Sequence, residues 1–209
     1  MKKEYKDLIE LGKYLVRYRY ASGSAGNISL RLASGFILAS PTNSHLGSLN
    51  KGDLSLLDEN GKLVSGLKPT KEIELHLAIY KSRREANAVI HLHSTYLTAL
   101  SCISGLDPLS VLDPVTPYVL MRTGKIPLIP YFKPGSIEIA SEIEKLSRNH
   151  SSFLLANHGI VVSGRSISEA CHNFEEIEET AKLRFILKKE KINYLTDENI
   201  AELGKGALK

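Results

Sequence analysis

The segment Ala88-Val89-Ile90-His91-Leu92-His93 constrains this chain more than any other stretch. The run is short and apolar enough for a strand, and in a strand alternate residues share a face. His91 and His93 therefore project together, while Ile90 and Leu92 point the other way. Same-face neighbours stand about 6–7 Å apart at their Cα atoms, which lets two imidazoles converge on one metal ion. Two unrelated histidines near a strand end would leave the same pattern, so the pair needs partners elsewhere before it reads as a ligand set.

The elements around that strand are mixed. Leu8, Leu11, Leu15 and Tyr18 stand at helical spacing and predict an amphipathic helix over residues 5–20, broken by the glycines of residues 23–26. Residues 27–32 and 36–39 read as strands, and residues 54–58 and 62–64 as a hairpin around Asn60-Gly61. After Pro69-Thr70, Ile73, Leu77 and Tyr80 return to helical spacing. The strand over 88–93 comes next, then a helix over 95–103 and a proline-interrupted stretch over 106–134. A helix over 137–148 follows, with strands over 152–156 and 160–162 flanking Asn157-His158-Gly159.

A long closing helix opens on Ser166-Ile167-Ser168-Glu169, a capping-box pattern, and carries Ala170, Phe174, Ile177 and Ala181 on one face. Its charges run from Glu175, Glu176, Glu178 and Glu179 to Lys182, Arg184, Lys188 and Lys189, the sense the helix dipole favours. That run reads as a solvated face. The mixture makes an α/β protein whose alternation is too irregular for a doubly wound parallel sheet.

Composition excludes several classes. The 209 residues are 43% hydrophobic and 24% charged, enough for a sizeable core, and one domain over residues 1–209 is expected. Cys102 and Cys171 are too few for a disulfide framework, which favours a reducing, cytoplasmic setting. Charges interrupt the apolar residues at the N-terminus, and no run approaches the ~20 apolar residues of a membrane span. Neither a secretory signal nor a membrane partner is expected. The excess of 27 basic over 23 acidic residues is spread along the chain, without the basic-aromatic cluster of a nucleic-acid binder. An anionic small molecule suits it as well.

A third ligand for the histidine pair is offered by His158, in a tight connection where Gly159 can supply an unusual backbone conformation. A loop histidine beside glycine is also a common surface feature. Glu72 supplies a carboxylate in the first turn expected after Thr70, where the helix dipole favours a negative charge in any protein. The same helix end offers backbone N–H groups to a phosphate, and Thr70 and Lys71 add to such a cradle. Gly26-Asn27 and Thr42-Asn43 are polar turns of the type that bind anions. His45, His76, His150 and His172 read as surface or packing residues.

Taken in order, Gly23-Ser24-Ala25-Gly26-Asn27-Ile28-Ser29, Ser40-Pro41-Thr42-Asn43, Lys68-Pro69-Thr70-Lys71-Glu72, His91-Leu92-His93 and Leu155-Ala156-Asn157-His158-Gly159 resemble the class II aldolase/adducin domain. The family includes fuculose-phosphate aldolase, ribulose-phosphate 4-epimerase, methylthioribulose-phosphate dehydratase and the non-catalytic adducin head. The resemblance spans roughly residues 8–187. It implies a three-layer α/β/α sandwich with a mostly antiparallel central sheet, and a homotetramer with active sites at subunit interfaces. It also implies a zinc site at His91, His93 and His158, with Glu72 as acid/base and additional metal ligand. Manganese, cobalt or iron could take the same site. Gly26, Asn27, Thr42, Asn43, Thr70 and Lys71 fall where members hold the substrate phosphate.

One departure separates subgroups. Aldolase members usually carry two serines before the glutamate, whereas this chain has Thr70-Lys71. With the residues around His91 and Thr116-Pro117-Tyr118, that version looks like the 3-oxo-tetronate 4-phosphate decarboxylases, which yield dihydroxyacetone phosphate and carbon dioxide. In such a substrate the ketone is β to the carboxylate, so decarboxylation leaves an enediolate that a divalent metal stabilises and a protonated Glu72 quenches at C2. Lys71 then meets the phosphate or the departing carboxylate. Tyr118 assists protonation, covers the site, or packs in the core with its hydroxyl satisfied. The rival readings are a sugar-phosphate aldolase of the fuculose-phosphate type and an adducin-like interaction module, the latter disfavoured by the intact histidine set.

Overall fold

The computed structural model describes residues 2–203. Met1 and residues 204–209, which the single-domain expectation includes, lie outside the described residues. Eight strands form one sheet: β1 (Asn27–Arg31), β2 (Ile37–Ala39), β3 (Ser55–Leu57), β4 (Leu63–Ser65), β5 (Ala88–Leu92), β6 (Leu128–Ile129), β7 (Ser152–Leu155) and β8 (Gly159–Gly164). Their spatial order is β4-β3-β2-β1-β5-β8-β7-β6, and every neighbouring pair is antiparallel except β6 and β7. The histidine strand β5 thus lies in the middle, between β1 and β8, and all five of its residues are buried.

A strand buried on both faces needs a layer on each side. The helices supplying those layers are α1 (Lys2–Arg17), α2 (Ile73–Ser82), α3 (Thr95–Ser101), α4 (Tyr118–Thr123), α5 (Ile137–Leu146), α6 (Ile167–Ile186) and the short α7 (Asp197–Glu202). One core joins Ile90 and Leu92 of β5 to Leu8 and Leu15 of α1, Leu97 of α3, Val119 of α4 and Phe174 of α6. The other joins Val89 to Ile79 of α2 and Ile143 of α5. The period of two in β5 sorts its residues between these cores, and His91 falls on the α2/α5 side. The result is the expected α/β/α sandwich with a mostly antiparallel sheet.

Several boundaries differ from expectation for identifiable reasons. α1 stops at Arg17 rather than running to residue 20, because Arg19 adopts a left-handed conformation (φ 61°). The Tyr20 N–H then bonds Leu15 O at 2.9 Å and Arg19 N–H bonds Val16 O at 3.0 Å, which is a Schellman closure with arginine in the usual glycine position. Tyr20 also edges onto Phe174 of α6 at 5.0 Å between centroids, which ties the turn to the core. β5 ends at Leu92, leaving His93 just beyond the ladder. α4 and β6 emerge from the proline-interrupted stretch, and α7 follows a capping box on Thr196. The charged run of α6 is not wholly solvated: Glu178 is buried, and its carboxylate accepts from Ser94 Oγ at 2.7 Å and from the Tyr96 and Leu97 N–H groups at 3.1 Å.

Gly159 opens β8 close against the end of β5. A Cβ there would stand 2.4 Å from Leu92 O and 3.1 Å from His93 Cδ2. The nearer atom belongs to the backbone of a central strand, which cannot move without dragging the ladder. Overpacking of this kind typically costs about 1–3 kcal/mol. Gly159→Ala should therefore lower Tm by roughly 2–12 °C for a chain of this size, as measured by thermal unfolding. An unchanged Tm would mean the strands part freely.

Candidate metal and active site

The sheet register assembles most of the site. Asn27 of β1 pairs with His91 of β5, so their side chains share a face at the centre of the sheet. His93 follows β5 directly and precedes α3, whose N-terminus Glu178 caps from α6. His158 sits in the tight β7–β8 connection. The unusual conformation there belongs to Asn157 (φ 54°) and not, as expected, to Gly159, whose role is close approach. The Ser101 hydroxyl of α3 accepts from the His158 N–H at 3.1 Å, and its carbonyl accepts from Asn157 N–H at 2.9 Å.

Glu72 stands at the N-cap of α2, just before Ile73, rather than within the first turn. Thr70 does the capping work: its Oγ1 accepts from Glu72 N–H at 3.2 Å and its carbonyl from Ile73 N–H at 3.3 Å. Leu75 N–H in turn bonds Glu72 O at 3.2 Å. These amides are therefore engaged, and the expected open helix terminus for a phosphate is largely closed. The same arrangement frees the Glu72 carboxylate to turn toward the imidazoles.

The four side chains meet tightly. One ligand atom from each of Glu72, His91, His93 and His158 lies within 4.8 Å of all the others. His91 Nε2 is 3.2 Å from Glu72 Oε2 and 3.2 Å from His93 Nε2, and His158 Nε2 is 3.3 Å from Glu72 Oε1. The His91 Nδ1–H donates to Ile160 O at 3.0 Å, which fixes the ring and aims Nε2 at the cluster. The Asn27 amide donates to Glu72 Oε2 at 2.9 Å.

Burial alone would push the Glu72 carboxyl up, but His91, His158 and the Asn27 amide outweigh it and hold it well below the usual carboxylate range. For His91 burial acts downward, and the Glu72 charge and hydrogen bond, with the Ile160 carbonyl, reverse it to a raised value. Burial and then the neighbouring His91 push His93 and His158 down to about 4. Glu72 is thus held as a carboxylate, and His93 and His158 are pushed toward the neutral form that ligates a metal.

Whether these residues suit a metal can be judged from their polar atoms. Glu72 Oε1 is buried and, among the described residues, lacks a properly aligned hydrogen-bond donor despite the nearby His158 ring. A buried carboxylate oxygen left so costs stability unless a cation meets it. Three imidazole nitrogens and one carboxylate oxygen are a donor set for a divalent metal. The residues fit.

A cavity of about 250 Å³ opens beside the cluster, lined by Glu72, His93 and His158 and by the expected phosphate contacts Gly26, Asn27, Thr42, Asn43, Thr70 and Lys71. Gly26 (φ 82°) must be glycine: a Cβ would stand 2.8 Å from His91 O. The Lys71 side chain is exposed and has no partner among the described residues. Tyr118 does not line this cavity. It begins α4, 60% exposed, so the core-packing alternative for it does not hold. Reading the sequence for ligands overlooked His76, which is fully buried and bonds Asn27, and also Ser101 and Glu178. The signal for His76 was present in its position four residues after Glu72, on the same face of α2.

If the four side chains hold one ion, protein purified without chelator should carry about one divalent metal per chain, measured by elemental analysis. His91→Ala or His93→Ala should reduce that content to background and abolish activity. Full occupancy in the His91→Ala, His93→Ala double variant would remove the ion from this cluster.

The model of the Class II Aldolase and Adducin N-terminal domain family matches residues 6–185. The 3-oxo-tetronate 4-phosphate decarboxylase of Pectobacterium atrosepticum is 50% identical over 197 residues, 94% of this chain and 90% of that one. The L-fuculose phosphate aldolase of Methanococcus maripaludis is 38% identical over 181 residues, 87% of this chain and 96% of that one. The crystal structure of YgbL from Klebsiella pneumoniae superposes with a TM-score of 0.95 at 46% identity, covering 97% of this chain and 98% of the other. Fold, motif order and these likenesses agree, and the chain is a lyase that belongs to the class II aldolase/adducin family.

Proposed function

We propose that this protein decarboxylates a 3-oxo-tetronate 4-phosphate to dihydroxyacetone phosphate and carbon dioxide. The observation that carries the reading is a single ionised carboxylate, Glu72, held among three imidazoles at the floor of a small polar cavity. The names of relatives about half identical to this chain support the substrate. When bound by His91, His93, His158 and Glu72, a divalent ion supplies Lewis-acid stabilisation for negative charge developing on the substrate oxygens. Zinc is the favoured ion, and manganese, cobalt and iron fit the same donors.

The remaining chemistry belongs to the chain. The C1–C2 bond breaks, carbon dioxide leaves, and its electron pair stays in the C2–C3 enediolate. Decarboxylation of a carboxylate consumes one proton, which must come from solvent. Since His91, His158 and Asn27 keep Glu72 ionised, it gains that proton at the site and passes it to C2. Gly26, Asn27, Thr42, Asn43, Thr70 and Lys71 hold the phosphate end, with Lys71 supplying the full positive charge.

The finer assembly rests on surface chemistry. Tyr118 is 60% exposed, Met121 55% and Leu109 69%, apolar area of the kind covered in an oligomer. A homotetramer with sites at its interfaces would set Tyr118 against a neighbouring site, where it covers substrate or assists protonation. The two free cysteines suit the cytoplasm, and no helix among the described residues is long and apolar enough to cross a membrane. The chain is read as one domain.

The 38%-identical aldolase relative favours one alternative, cleavage of a sugar phosphate through the same kind of enediolate. Incubation with 3-oxo-tetronate 4-phosphate should release carbon dioxide and dihydroxyacetone phosphate in equal amounts. Triose phosphate with an equimolar aldehyde from L-fuculose 1-phosphate, and no carbon dioxide from the oxo acid, would move the assignment to aldolase. Lys71→Ser should leave metal content and fold intact. Because the ammonium is exposed before substrate arrives, its loss should cost about tenfold in kcat/KM, or ~1.4 kcal/mol. A rise confined to KM would put Lys71 on the phosphate, and a fall confined to kcat on the departing carboxylate. Unchanged kinetics would remove it from the site.

A further inference from the structure

Beneath the cluster, two rows of polar side chains run into each other. Asn27 and Ser29 alternate along one face of β1, and Glu72, His76 and Tyr80 recur every four residues along α2. Two residues of strand advance about 6.6 Å and four residues of helix about 6.0 Å, so the rows have nearly equal pitch. They interdigitate: Glu72 Oε2 meets Asn27 Nδ2 at 2.9 Å and Asn27 Oδ1 meets His76 Nε2 at 2.6 Å. His76 Nδ1 meets Ser29 Oγ at 2.7 Å, and Ser29 Oγ meets Tyr80 Oη at 2.7 Å. Asn27, Ser29, His76 and Tyr80 are all buried.

Donor and acceptor roles in this chain follow from its end. At that end Asn27 Nδ2 faces Glu72 Oε2, so its NH2 donates there and its carbonyl is turned toward His76. That carbonyl needs a donor, which makes Nε2 the protonated nitrogen of His76 and Nδ1 an acceptor. Ser29 therefore donates to His76 and Tyr80 donates to Ser29. Burial and then the facing His91 push His76 down to about 3, so the ring is a neutral single tautomer. Burial pushes the Tyr80 hydroxyl up and keeps it a donor.

We propose that His76 is a positioning residue that locks the Asn27 amide through its Nε2–H, so that Glu72 Oε2 always faces a donor and its carboxylate stays at one angle. Without that N–H the amide can flip and set its carbonyl against the carboxylate. His76 hydrogen-bonds Asn27 and Ser29 rather than a metal ligand, and it does not line the cavity. The inference rests on the reading of Glu72 as the group that protonates substrate.

The test compares His76→Leu with His76→Gln, whose side-chain amide can still donate to Asn27. The leucine variant should keep its metal and a KM within about threefold of wild type while kcat falls on the order of 10–100-fold, the scale of a small misplacement at the reacting centre. The glutamine variant should recover kcat to within about fivefold of wild type. Equal losses in both variants, or no loss in leucine, overturn the proposal. If the leucine variant does not fold, the imidazole 15N shifts of wild type decide. A proton on Nε2 at neutral pH supports the proposal, and an Nδ1–H tautomer, which would turn a lone pair toward the Asn27 carbonyl, overturns it. If wild type cleaves L-fuculose 1-phosphate instead of decarboxylating, the functional reading fails but the same variants are compared on that reaction.

Discussion

The pairing of Asn27 with His91 across β1 and β5 is the contact on which the site depends. It sets a hydrogen-bonding amide beside an imidazole in the middle of a sheet buried on both sides. Glu72 reaches that point from α2, accepting from Asn27 and lying 3.2 Å from His91 Nε2. A one-residue slip between β1 and β5 would turn His91 into the apolar core of α1 and α6 and bring Ile90 to the ligands. Apolar sorting on the other residues of β5 forbids that slip, since Ile90 and Leu92 are wholly buried against that core. The hydrophobic pattern therefore positions a polar site without touching it.

Such a site works against stability. Four ionisable groups converge in a poorly solvated place, and breaking a buried ion pair usually costs more than forming it gains. The structure offsets this in two ways. The groups behind the cluster are satisfied: His91 on Ile160 O, Asn27 on His76, His158 on Ser101 and the start of α3 on Glu178. The cluster itself leaves Glu72 Oε1 unmatched, an atom that a bound cation would satisfy. Any ligand that binds only the folded state adds its binding free energy to folding, so on this reading metal and fold support each other.

How much of this could be read beforehand depended on the length of the signal. The β5 alternation, the face of α6 carrying Phe174 and Ile177, and the ordered polar motifs each repeat over several residues and were legible. α4 has six residues and β6 two, too short to establish a period, and both lie among prolines. The end of α1 was missed because Arg19 occupies a position where glycine is the usual marker. Charge misled at Glu178, whose carboxylate leaves the solvated run of α6 to cap another helix about eighty residues away in sequence. His76 was hidden differently. Its partners lie on a strand far upstream, and only the combined spacing of both elements exposes it.

That division has a consequence for how one fold serves several reactions. The groups proposed to handle charge and proton sit within β1 and β5 or one residue from the ends of β5, β8 and α2, elements whose mutual positions are fixed by the two cores. The groups proposed to meet the rest of the substrate, Thr42, Asn43, Lys71 and Gly26, lie on connections between elements. Connections tolerate substitution more readily than a packed sheet does. Replacing a neutral residue by Lys71 adds a full charge at the cavity rim, where it can select an anionic group, and disturbs nothing around His91. Generating an enediolate by losing carbon dioxide or by losing an aldehyde differs mainly in the departing group. A change at the rim, with the sheet-borne cluster untouched, is therefore a physically sufficient route from one activity to the other.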